Sequence, residues 1–183
     1  MKKTLLTTLA CGFLLAFSSC DKIEEAIQQD VSITPNTVTF NIDKINTTST
    51  VTNMDSVTVS LNLDSLIKKN ASGFSAANIK SIKLKSFNIV LNNADNDNNF
   101  ANFESINAQI QATGQSPVEL VSVNNNPDTY STTLDLKLSN RGLDLKNYLS
   151  GTFKYKIQGK ARRVTTKVLK ATATAKYTFT VGL

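Results

Sequence analysis

A period of two restricts this 183-residue chain more than any other feature. Val38, Phe40 and Ile42 alternate with Thr39 and Asn41, and Val57, Val59, Leu61 and Leu63 alternate with Thr58, Ser60 and Asn62. Successive side chains of a strand point to opposite faces, so this code describes strands with one face on a core and one in water. The code returns in Ile106 to Ala112, Val118 and Leu120, Leu134 to Leu138, Phe153 to Ala161 and Leu169 to Val181, with turn signals at Gly114 and at Asn124 to Asp128. Ile82 and Leu84 share one phase, but Phe87, Ile89 and Leu91 take the other. One extra residue moves an apolar set to the opposite face, so the slip predicts a β-bulge near Lys85 and Ser86.

Seven to nine such strands, joined mostly by turns too short for a helical crossover, predict an antiparallel arrangement. One-sided polarity predicts that two sheets stack on their apolar faces. The expected fold is therefore all-β, an antiparallel Ig-like β-sandwich with one or two short helical turns. The first of these turns is expected over Asp64 to Asn70, with Asp64 as its N-cap and an end near Gly73, and the second within Leu143 to Ser150. Few glycines, no tryptophan and an apolar content carried by Ile, Leu, Val and Phe agree with strands.

The N-terminus has a different character. Lys2 and Lys3 precede an apolar run from Thr4 to Phe17, which is too short to span a bilayer and has the profile of a signal peptide. Ala16-Phe17-Ser18-Ser19-Cys20 then resembles the lipobox read by the lipoprotein signal peptidase, although Phe17 stands where an aliphatic residue is usual. This predicts cleavage before Cys20 and a covalent lipid on that cysteine, which anchors the protein to a membrane. Residues 1–19 read as signal peptide, 20–34 as a lipidated acidic tether and 35–183 as a single domain. With Cys11 removed, Cys20 is the sole remaining thiol, which excludes an internal disulfide.

Three runs, Val59 to Ile67, Ile79 to Phe87 and Leu143 to Leu149, carry a resemblance to small Bacteroidota lipoproteins with a sandwich related to late-embryogenesis-abundant or Ig-like domains. The resemblance spans most of residues 31–183 and implies that fold and an outer-membrane location, with no catalytic residues. Lys22 followed by Glu24 and Glu25 resembles the export signal that takes such lipoproteins to the cell surface. A polar tether facing the periplasm is the alternative.

The absence of histidine excludes Ser-His-Asp and Cys-His triads and any histidine-ligated metal. The carboxylates fall on exposed strand positions and turns, so no enzyme is expected. Asp95, Asp97 and Asn99 place oxygens at alternate positions, a weak calcium candidate or else a hydrophilic loop. From Gly151 to Leu183 there are eight basic residues and no acid. Strand phase puts Lys154, Lys156, Lys160, Arg162, Lys170 and Lys176 on the outward side, where a basic ladder would attract a glycan, lipopolysaccharide phosphates or the anchoring membrane. Lysine that merely solubilises an exposed sheet is the plainer reading. No aromatic residues interleave with these charges, so nucleic acid is not expected. Two functions follow: a non-catalytic, surface-exposed module for binding or adhesion to a glycan, a matrix component or a protein partner, and a structural accessory subunit docking on an outer-membrane assembly.

Overall fold

A computed structural model describes residues 28–35 and 37–183. Among these residues nine strands occupy the positions that the alternation marks, with one addition. They are β1 (Gln29–Ile33), β2 (Val38–Ile42), β3 (Val51–Ser60), β4 (Ile79–Leu91), β5 (Phe103–Ala112), β6 (Val118–Val123), β7 (Thr133–Leu138), β8 (Thr152–Ala161) and β9 (Leu169–Val181). Among the described residues two short helices, α1 (Leu63–Asn70) and α2 (Lys146–Leu149), interrupt them. Every strand pairing is antiparallel. The fold is all-β, as the sequence pattern predicts.

The strand order is β1-β9-β4-β7-β6-β5-β8-β3, with β2 beside β1 on the same edge of β9. The two layers are halves of one curled sheet. β7 joins them, because it pairs with β4 through Leu136 opposite Phe87 and with β6 through Leu138 opposite Val121. The inward residues of both halves form one apolar cluster. Across it the Phe87 and Tyr155 rings meet edge to face with centroids 5.7 Å apart. Each fully buried Phe or Ile there contributes about 1.5–3 kcal/mol of transfer free energy.

The predicted bulge is present: the register of β4 against β9 shifts between Leu84 and Ser86. Its effect is to keep Ile82 and Leu84 buried together with Phe87, Ile89 and Leu91 although the two sets differ in phase. Three local expectations are corrected. Asn62, not Asp64, caps α1, since its Oδ1 accepts the Ser65 amide at 2.9 Å. The Asp64 carboxylate is instead held by Lys68 at 2.6 Å and by the Ala76 amide at 3.2 Å. β3 stops at Ser60, so Leu61 and Leu63 lie beyond the strand, half-buried. Residues 29–33, assigned from sequence to the tether, pair with β9 as a strand, with Val31 and Ile33 buried. Cys20 and the signal segment lie outside the described residues.

Candidate functional site

The outward lysines are placed by pairing, not by phase alone. β8 belongs to the half with β3 and β5, and β9 to the half with β1, β2 and β4. Tyr155 of β8 and Tyr177 of β9 point inward and hydrogen-bond to each other in the core. The outward residues of the two strands therefore face opposite sides of the molecule. This corrects the expected six-residue ladder: Lys154, Lys156 and Lys160 lie on one side, Lys170 and Lys176 on the other, and Arg162 lies past the end of β8.

The members of the ladder also differ in partners. Lys160 pairs with Glu104 at 2.9 Å. Arg162 donates to the carbonyls of Ala101 at 2.9 Å and Asn126 at 2.6 Å, and so fastens two loops. Lys154, Lys156, Lys170 and Lys176 take part in none of the ion pairs among the described residues. On the outer face of β8, Lys154 stands between Thr58 and Gln111, and Lys156 between Ser56 and Gln109.

On the opposite face the register gathers lysines that the sequence pattern did not group. Ser86 of β4 faces Lys176 of β9, and the bulge adds the exposed Lys85 at the same place. Lys83 faces Thr178, one step along. Leu136 of β7 faces Phe87 in the last pair of that register, and the exposed Lys137 that follows it faces Ser122 of β6 on its other edge, one residue past the β4 pairing on the Ser86 side. Lys83, Lys85, Lys137 and Lys176 are all exposed, and none of them belongs to an ion pair among the described residues. Each sits at an outward position in its own strand, which sequence phase can detect. That they adjoin depends on three strands far apart in the chain.

At the end of the sandwich near Leu91 and Leu169, the Asn-rich loop is a hydrogen-bonded clasp. Asp95 Oδ2 lies 2.5 Å from Lys167 Nζ, and Asp95 Oδ1 accepts the Asn98 amide at 2.8 Å and the Asp97 N–H at 3.0 Å. Lys167 first and Asn98 second hold the Asp95 carboxyl down at about 2. Asn99 Oδ1 is used by the Ala101 amide at 2.9 Å, and Asp97 is exposed. A calcium ion shared by Asp95, Asp97 and Asn99 would have to displace both Lys167 and that amide. Among the described residues, no group of three or more Asp, Glu, His or Cys side chains converges as a metal site. Nearby, Arg163 grips Asp128 in a fork at 2.6 and 3.0 Å and lowers its carboxyl.

A further opening lies at the seam of the curled sheet, between β2 and β3. At one end of the seam Asp55, beside the bulge of β3, accepts the Asn41 amide at 3.2 Å. Farther along, a groove of about 530 Å³ opens between Val38 and Thr39 on one side and Val57, Val59 and Leu61 on the other. β3 pairs with β8 alone, so its second edge borders this groove. The chain matches no protein-family model and no curated protein.

Proposed function

We propose that the protein is a lipid-anchored, extracytoplasmic binding or adhesion module without catalytic activity, held at the outer-membrane surface through Cys20 and engaging an anionic partner. The observation that carries this reading is the contrast between loop and sheet charges. Arg162, Arg163 and Lys167, in the loops, serve the fold by bridging Asp128, Asp95 and backbone carbonyls. The sheet lysines Lys83, Lys85, Lys137, Lys154, Lys156, Lys170 and Lys176 enter none of the ion pairs among the described residues and remain available to a partner. The acids whose ionisation is most perturbed, Asp64, Asp95 and Asp128, each owe the shift first to a cationic partner, which suits a structural role better than proton transfer.

Two measurements test the proposal. Acyl labelling of intact cells should disappear in Cys20→Ser, with the protein released from membranes; persistent label would refute the anchor. Retention on an immobilised acidic polysaccharide in dilute buffer should fall steeply with added salt. A chain that passes such a column unretained in dilute buffer has no anionic partner of this kind.

A second reading, an accessory subunit docking on an outer-membrane assembly, is favoured by the one-sided pairing of β3 beside a groove of mixed polar and apolar lining. A partner strand could add to that edge. Proline substitutions at Thr58 and Ser60 that abolished assembly without unfolding the chain would select it.

A further inference from the structure

We infer that the outer face of β4, β7 and β9 is a binding site for an acidic polysaccharide, centred on Lys83, Lys85, Lys137 and Lys176. The inference rests on the proposed binding role and assigns its site and partner class. The bulge is the device that concentrates the charge. By opposing two residues of β4 to one of β9, it brings Lys85 beside Lys176 where an unbroken strand would present one residue. Lys137 extends the row to a third strand. With strands about 4.8 Å apart, the row from Lys176 to Lys137 covers about 10 Å. That is near the length of a disaccharide, so successive acidic sugars can each meet an ammonium.

Neutral groups on the same face fit a sugar chain. Thr178 faces Lys83, Ser86 faces Lys176, and Thr174 faces Asn88, so hydroxyl and amide groups that can bond sugar hydroxyls flank the charges. Two acids border the row: Asp135 shares the outward side of β7 with Lys137 and accepts the Asn88 amide at 2.7 Å, and Asp144 accepts the Ile82 backbone amide beside Lys83 at 2.9 Å. The row also lies away from the end where the tether enters. Gln29 pairs with Val181, and Lys176 is five residues back along β9, about 16 Å. A leaflet approached by the tether end would meet that end first, which favours a polymer lying across the sheet over the anchoring membrane itself. The β8 face is the weaker site, because only Lys154 and Lys156 are free there and Lys160 is taken by Glu104.

The test compares two variants of equal charge, Lys85→Gln/Lys176→Gln and Lys154→Gln/Lys156→Gln, with the intact protein on an immobilised uronic-acid polysaccharide in dilute buffer. All four positions are outward in their strands, so unchanged circular dichroism and melting temperature serve as the control for folding. The first pair should lose about tenfold in affinity and the second no more than about twofold. Asp135→Asn should bind more tightly than the parent. Equal losses in the two variants, or a loss confined to the β8 pair, would overturn this site while leaving the binding role standing. Failure of the parent to bind would remove both. Anionic phospholipid vesicles that bind through Lys85 and Lys176 while the polysaccharide does not would overturn the partner class.

Discussion

The hydroxyls of Tyr155 on β8 and Tyr177 on β9 hydrogen-bond to each other at the centre of the core, joining the two halves of the curled sheet. Each hydroxyl has the other as its hydrogen-bond partner in a setting where an unpaired polar group is expensive. Tyr177→Phe should therefore destabilise by about 1–3 kcal/mol, because it strands the Tyr155 hydroxyl. The double change to phenylalanine should recover part of that loss, since it removes both polar groups. Urea unfolding of the two single variants and the double provides the cycle. A double-variant cost equal to the sum of the singles would show that the bond has no special place in the core.

The same pair predicts an alkaline limit. Burial pushes Tyr155 up to about 12 and Tyr177 well above its ordinary value. An unfolded tyrosine ionises near 10. Above that pH the unfolded chain loses protons that the folded chain keeps, so stability is complete below about pH 10 and declines as pH rises through 10 to 12. Ionisation of these two residues, read from tyrosinate absorbance, should coincide with loss of the strand signal in circular dichroism. Ionisation well ahead of unfolding would contradict their burial.

The clasp sets the acid limit. Asp95 is held at about 2, against 3.8 for an unperturbed carboxyl, by Lys167 and Asn98. A depressed folded value means that its contribution is present above about pH 4 and disappears as pH falls toward 2. Asp95→Asn should flatten this part of the stability curve and leave the neutral melting temperature less dependent on salt. An unaltered acid limb would assign acid unfolding to other carboxylates. Excess calcium should leave the melting temperature of the parent unchanged, because Lys167 already occupies the Asp95 carboxylate.

Asn126 is 5% exposed, and its amide donates to the Phe100 carbonyl at 2.7 Å and the Phe103 carbonyl at 3.1 Å. Asn126→Ala leaves both acceptors without this donor and should cost about 2 kcal/mol with an unchanged denaturant slope. A cost below 0.5 kcal/mol, read against the ~1–3 kcal/mol of a buried unpaired group, would mean that water replaces the amide.

Gly159 on β8 is fixed by close approach. A Cβ there would lie 2.6 Å from the Ser105 carbonyl oxygen and would also strike the Met54 methyl. Gly159→Ala should destabilise by about 1–3 kcal/mol. Met54→Ala in the same chain should not rescue it, since the backbone oxygen remains. Rescue would show that the flexible side chain is the sole obstacle.

Much of this architecture is legible in the sequence because alternation is a local consequence of the pleat. Burial in β8 and β9 follows the predicted phase from Phe153 to Ala161 and from Leu169 to Val181, with Ala175 half-buried. The phase slip after Leu84 marks the bulge to within a residue. β1 is equally legible in Val31 and Ile33, but it follows an acidic segment and its sequence reads as tether.

By itself, then, the sequence determined which residues point inward, where the bulge falls and that the fold is all-β, because each depends on the geometry of neighbouring residues. Strand order and register lay beyond it, because they arise from pairing between segments as far apart as Gln29 and Val181. Those pairings sent the lysines of β8 and β9 to opposite sides of the molecule. They also set Lys137 of β7 and Lys176 of β9 on either side of the Lys85 bulge in β4.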